Sequence, residues 1–200
     1  LQGVDEAGFL NLTAATALVV DDHEQSLEIL VSVLSSFGTR QVLKAESAVA
    51  ALDLLERQPV DLILCDGQMP GTDGYDFVRK VRRSDNRQVQ MIPIIIVTAH
   101  TRQSDVMRAR DCGANFIIAK PITPRVVLER VQWVGRADRV FIECDGYVGP
   151  DRRYKNLGPP PDFPAGRRRG DVPLELGAPE GANMSIDEID QIVKPQKVSS

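Results

Sequence analysis

Short apolar runs of strand length alternate along the chain with stretches whose apolar residues recur three and four positions apart. Ala17-Leu18-Val19-Val20-Asp21 reads as a buried strand. Leu27, Leu30, Val31 and Leu34 then fall on one helical face until Gly38 stops it. Residues 41–45 predict a second strand, and Ala48, Ala51, Leu52 and Leu55 a second helix closed by Pro59. Residues 61–65 form a third apolar run, after which the turn Pro70-Gly71-Thr72-Asp73-Gly74 leads into a helix over 75–83. Pro93 opens a fourth strand, 94–98, at the position where its missing N–H does least harm. A short helix over 102–112, a fifth strand over 115–119 and a last helix from Thr123 or Pro124 to about Arg136 complete the pattern. Five β-rich runs separated by helices predict an α/β fold, a parallel sheet covered on both faces.

Composition limits where this pattern ends. Of the 13 prolines and 15 glycines, 8 and 7 fall in the 61 positions 140–200. That stretch, with Gly158-Pro159-Pro160-Pro161, has too few periodic apolar residues to offset its ordering entropy. The expected organisation is therefore an N-terminal extension over 1–15, one folded domain over 16–137, and an extended tail over 138–200. The tail is also too poor in apolar residues for a winged-helix DNA-binding domain. A net charge of −4 argues against nucleic-acid or anionic-membrane binding driven by bulk charge. No apolar run nears the roughly 18 residues of a membrane span, and no basic-then-apolar secretory signal is expected. Cys65, Cys112 and Cys144 lie far apart without metal-ligand spacing, which suits reduced thiols in a cytoplasm.

Polar residues interrupt the apolar pattern at the carboxyl ends of the strands: Asp21 and Asp22 after the first, Asp66 after the third, Thr98 on the fourth and Lys120 after the fifth. In an open α/β sheet those ends line the crevice where ligands bind. Asp21-Asp22 alone is equally consistent with a helix N-cap. Grouped carboxylates, however, repel one another unless a cation sits among them, and an oxygen-only donor set suits Mg²⁺. A hydroxyl and an ammonium opposite such a metal could hold a phosphoryl group while one carboxylate attacks phosphorus.

With these motifs, Leu18-Val19-Val20-Asp21-Asp22, Asp66-Gly67-Gln68-Met69-Pro70 with Asp73-Gly74, Val97-Thr98-Ala99 and Lys120-Pro121, the chain resembles the CheY-like receiver domain of two-component response regulators over roughly residues 16–137. The resemblance implies a doubly wound, five-stranded sheet of order 2-1-3-4-5 and a non-enzymatic signalling role. It implies Asp66 as acceptor of phosphate from a histidine kinase or phosphotransfer protein. Asp22, Asp66 and the Gln68 carbonyl would ligate Mg²⁺, with Asp21 acting through a bound water. Thr98 and Lys120 would hold the phosphoryl oxygens, and Lys120–Pro121 would be cis. Gln68 and His100 would flank the phosphoryl group and set its lifetime. Phosphorylation would be read by a partner protein through the last helix, the strand before it and the 102–112 helix.

One position departs from the family pattern. Receivers commonly carry Tyr or Phe three residues before the lysine, where this chain has Ile117; Phe116, one place earlier, is expected to face the other side by strand alternation. Haloacid-dehalogenase-like phosphatases share the aspartyl chemistry but need a second Asp two residues on, where Gln68 stands. No Gly-rich loop follows the first strand, so a nucleotide-binding Rossmann reading is poorly supported. His23 reads as a loop residue, Cys65 and Trp133 as packing residues. In the tail, Arg152-Arg153-Tyr154-Lys155 and Arg167-Arg168-Arg169 allow an alternative function, a CheY-like cyclic di-GMP effector whose arginines bind the nucleotide, with Tyr154 or Phe163 stacking on a base. Ser185-Ile186-Asp187-Glu188 has capping-box spacing ahead of Ile189, Ile192 and Val193, predicting a short amphipathic helix over 185–194.

Overall fold

The computed structural model describes residues 12–136 and 140–151. The elements run β1 (Thr16–Val20), α1 (Glu24–Ser36), β2 (Gln41–Ala45), α2 (Ala48–Arg57), β3 (Leu62–Asp66), α3 (Gly74–Arg82), α4 (Arg87–Met91), β4 (Ile94–Thr98), α5 (Gln103–Asp111), β5 (Phe116–Ala119), α6 (Pro124–Arg136), β6 (Phe141–Cys144) and β7 (Tyr147–Pro150). The first five strands form one sheet in the order β2-β1-β3-β4-β5, with every neighbouring pair parallel. β1, β3 and β4 are buried along their whole length, because helices cover both faces of the sheet.

Strand alternation divides the core in two. Leu18, Val20, Ile63, Cys65, Ile94, Ile96 and Ile117 pack with Tyr75, Phe77, Val78 and Val106 of α3 and α5. Val19, Leu62, Leu64, Ile95, Val97 and Phe116 pack on the opposite face with Leu27, Leu30 and Leu34 of α1 and Val127 and Val131 of α6. Ile117 and Phe116 thus face opposite layers, as alternation requires. Trp133 meets the Phe116 ring edge-on at 5.0 Å between centroids. Side-chain caps start α2, where Ser47 accepts from Ala50 N–H, and α3, where Asp73 accepts from Asp76 N–H at 2.8 Å.

The folded body exceeds the expected limits at both ends. Leu12 and Ala15, placed in an N-terminal extension, are buried in the α1–α6 layer, and the Leu12 carbonyl accepts from Ala15 and Arg40 N–H. The first residues of the expected tail form the antiparallel hairpin β6–β7 around Asp145-Gly146, with Gly146 at φ 88°. Counting Pro and Gly as signs of an unstructured tail missed this, because Asp-Gly between two strand-like runs is itself a hairpin signal.

The hairpin is fastened by Arg82, a residue whose charge suggests solvent but which is 1% exposed. Its guanidinium donates to the carbonyls of Gly113 (2.9 Å), Gln90 and Ile92 (both 2.7 Å) and to Asn115 Oδ1 (2.8 Å), and lies 5.4 Å from the Phe141 ring centroid. Burial pulls its pKa down to about 10, so it is still charged at neutral pH. Gly113 and Gly149 make the close approach possible: a Cβ on Gly113 would stand 2.5 Å from the Val148 carbonyl oxygen, and one on Gly149 2.8 Å from Gly113 Cα. The basic clusters at 152–155 and 167–169 and the capping-box helix at 185–194 lie outside the described residues, as does the cyclic di-GMP reading built on those arginines.

Candidate functional site

Register places the polar residues at one level. Val20 pairs with Cys65, Asp66 with Val97, and Thr98 with Ala119, so the residues at or just past these ends converge at the carboxyl edge of the sheet. Asp21 follows β1 and is fully buried; Asp66 closes β3 at 6% exposure, Thr98 closes β4, and Lys120 follows β5 half-buried. Lys120 Nζ donates to Asp66 Oδ1 at 2.6 Å and to Asp21 Oδ2 at 3.0 Å. The Lys120–Pro121 bond is cis.

The other carboxylate oxygens are also engaged. Asp66 Oδ2 accepts from Gln68 N–H at 2.6 Å, and Asp21 Oδ1 from His23 N–H at 2.9 Å. Asp22 is only partly buried, its Oδ1 lying 3.1 Å from His23 Nδ1. Asp21, Asp22 and His23 each present one donor atom, all within 4.8 Å of one another. Thr98 Oγ1 accepts from His100 N–H at 3.1 Å. The Gln68 side chain is exposed and His100 partly so.

Burial raises the Asp66 carboxyl above its ordinary 3.8, against the downward pull of Lys120 and the Gln68 N–H, and the Asp21 charge adds to the rise. Burial acts to lower the Lys120 pKa, but its bonds to Asp66 and Asp21 outweigh that and hold it above 10.5. Three carboxylates therefore face one ammonium, an excess of negative charge that a divalent cation with hard oxygen ligands would offset. The donor set present fits Mg²⁺, and receiver domains bind Mg²⁺ at such an aspartate cluster.

Burial also pushes the Cys65 thiol far up, which leaves it inert beside Asp66. Two neighbours of the site, Tyr75 and Arg108, were not singled out from sequence; they pack beside Gly74 of the Asp73-Gly74 motif. Gly74 lies under Asp66, donating its N–H to Gly67 O at 3.2 Å. Tyr75 is buried, its ring 4.3 Å beneath the Arg108 guanidinium, and Arg108 is ion-paired to Asp73. The only trace of them in the sequence is the Asp73-Gly74 step, since Arg108 is 35 positions from Asp73.

A response regulator receiver domain model matches residues 17–132. Chemotaxis protein CheY1 of Helicobacter pylori is 38% identical over 118 residues, 58% of this chain and 94% of that protein. The CheY homolog of Campylobacter jejuni is 36% identical over 116 residues, 58% of this chain and 88% of its own length. Among solved structures, Vibrio cholerae CheY4 superposes with a TM-score of 0.57 at 28% identity, covering 60% of this chain and 98% of its own. A putative response regulator from Chloroflexus aurantiacus gives 0.57 at 32% identity, covering 60% and 97%.

Proposed function

Because the chain belongs to the response regulator receiver family, we propose that Asp66 accepts a phosphoryl group from a histidine kinase or histidine phosphotransfer protein, and that the phosphorylated chain changes its affinity for a partner protein. The observation that carries this reading is the Lys120 ammonium held between Asp66 and Asp21 at the carboxyl edge of the sheet. In the transfer, an Asp66 oxygen forms a bond to phosphorus as the phosphorus–nitrogen bond to the donor imidazole breaks. The imidazole keeps that electron pair and takes up a proton. Lys120, already on Asp66 Oδ1, is placed to neutralise a phosphoryl oxygen, and the Thr98 hydroxyl to donate to another once it leaves the His100 N–H.

Asp22, Asp66 and the Gln68 carbonyl would hold Mg²⁺, with Asp21 acting on it through water; when bound, the ion supplies the positive charge that the carboxylates and phosphoryl oxygens require. Gln68 and His100 flank the reacting group and set how readily water reaches it. On this reading the chain catalyses only its own phosphorylation and dephosphorylation. The partner surface is formed by α5, β5 and α6. Cys65, Cys112 and Cys144 are free thiols, in keeping with a reducing cytoplasm, and no helix among the described residues is long and apolar enough to cross a membrane.

The test is phosphate uptake from a phosphohistidine protein or an acyl phosphate with Mg²⁺. Wild type should label and Asp66→Asn should not. Labelling that persists in Asp66→Asn would place the acceptor elsewhere.

A further inference from the structure

Two buried polar atoms among the described residues lack a hydrogen bond of good geometry: Asp105 Oδ2, and the Tyr75 hydroxyl, which only leans on the Thr98 side chain. Buried polar groups are nearly always paired, so two such atoms in one neighbourhood require an explanation. They are complementary, a phenol that donates and a carboxylate that accepts. They also belong to the two helices that flank Thr98. Tyr75 opens α3, next to the acceptor loop; Asp105 lies in the first turn of α5, which follows the Thr98–Thr101 segment. The Asp105 charge reaches Tyr75, adding to the rise that burial gives the phenol's pKa.

The Tyr75 hydroxyl and Thr98 crowd the same spot. A Cβ built on Gly67 would stand 3.1 Å from the Tyr75 hydroxyl, 3.1 Å from Thr98 Cβ and 3.2 Å from Thr98 Oγ1. Thr98 Oγ1 in turn holds the His100 N–H, at the start of the segment leading to α5. A change in the Thr98 rotamer therefore alters the space beside Tyr75 and at the same time releases the segment leading into α5, the helix that carries Asp105. Ile117 of β5 packs in this same layer and has neither a ring nor a polar atom with which to respond.

We propose that the Tyr75 hydroxyl and the Asp105 carboxylate are the two halves of a hydrogen bond that closes when Thr98 turns to a phosphoryl group on Asp66, so that Tyr75 couples α5 to the acceptor. This rests on the phosphoryl-acceptor reading of Asp66. Tyr75 and Asp105 act as positioning residues, since neither touches the phosphoryl group. The Arg108 guanidinium over the Tyr75 ring, paired with Asp73, keeps α5 in register with α3 while the two groups remain apart.

The experiment measures beryllofluoride affinity of the full chain with Mg²⁺, in wild type, Tyr75→Phe, Asp105→Ala and the double variant, beside the Mg²⁺ affinity of each without beryllofluoride. A hydrogen bond to a charged acceptor that forms only in the activated state predicts about tenfold weaker beryllofluoride binding in each single variant. The double variant should be no weaker than either single one, and Mg²⁺ affinity should be unchanged throughout. Amide resonances of α5 should move on beryllofluoride addition in wild type and move less in Tyr75→Phe. Beryllofluoride binding within twofold of wild type in both single variants, or losses that simply multiply in the double variant, would overturn the coupling. A wild-type chain that fails to bind beryllofluoride, or an Asp66→Asn chain that binds it equally well, would instead overturn the acceptor reading beneath it.

Discussion

Replacing Gly74 with alanine would put a methyl carbon 1.9 Å from the Asp66 carbonyl oxygen, 2.9 Å from its carbonyl carbon and 3.0 Å from Gly67 Cα. All three obstructing atoms are backbone, so no rotamer change relieves the contact. Restoring even a 3.0 Å separation requires the acceptor loop and the first turn of α3 to part by about 1.1 Å. Overpacking of this kind costs about 1–3 kcal/mol, and weakening the bond from Gly74 N–H to Gly67 O adds about 1 kcal/mol. A stability loss of roughly 2–4 kcal/mol follows, measurable by urea unfolding with Trp133 as the fluorophore. The same displacement moves Asp66 against Lys120, and an error of about 1 Å at a reacting group costs on the order of a hundredfold in rate. Phosphate uptake from an acyl phosphate with Mg²⁺, measured where the variant is still folded, should fall by that order. Gly71→Ala is the control: at φ 80° it meets nothing within 4 Å, so it should cost about 1–2 kcal/mol of backbone strain and leave the rate alone. A Gly74→Ala protein within about 0.5 kcal/mol and about twofold of wild type would refute the steric argument.

Three further outcomes follow from the same geometry. Asp66 has a folded pKa above its ordinary value, so its contribution to stability is present below pH about 3.8 and is lost as pH rises through the folded pKa; Asp66→Asn should therefore melt higher than wild type at pH about 7 in metal-free buffer, and a lower melting temperature would contradict this. Lys120→Ala should retain most Mg²⁺ affinity yet lose most of the response to beryllofluoride, checked by titrating each in turn; intact beryllofluoride affinity would remove Lys120 from the phosphoryl site. Arg82→Ala takes the guanidinium donors from the Gly113, Gln90 and Ile92 carbonyls and leaves Asn115 Oδ1 with the Ile94 N–H alone, and should cost roughly 3–5 kcal/mol in urea unfolding while the folded fraction still takes up phosphate normally.

The parts of the fold legible in sequence are those whose burial is written into local composition. Leu62-Ile63-Leu64 and Ile94-Ile95-Ile96-Val97 are uninterrupted apolar runs because helices cover both sheet faces there, and they have no other reading at strand length. Asp21, Asp66, Thr98 and Lys120 stood out because each breaks such a run at its carboxyl end. What stayed hidden depends on contacts between distant residues. α4 spans five residues of which only Gln90 is buried, so it carries no apolar period. Arg82 looks like part of the polar face of its helix, and only carbonyls 8 to 31 positions away reveal its burial. Tyr75 reads as an ordinary core aromatic, because its link to Thr98, 23 positions away, forms only where the two side chains meet beside Gly67.

These hidden contacts determine which helix can move. α3 is held at both ends: Gly74 is wedged under the Asp66 carbonyl, and Arg82 is bound to four acceptors around the starts of β4 and β5. The hairpin β6–β7 adds weight at that second end through Phe141, the Val148 carbonyl and the Arg87–Glu143 ion pair. α5 has less to hold it. Of its residues only Val106 and Ala109 are fully buried, and its tie to the acceptor loop is the Arg108–Asp73 pair, each partner about a quarter exposed at 27%. Partly exposed ion pairs contribute roughly 0–1 kcal/mol and are easily exchanged for others. A rotamer change at Thr98 therefore meets a fixed element on the α3 side and a yielding one on the α5 side. The displacement should be expressed in α5, with Tyr75 as the stationary contact against which that helix is repositioned.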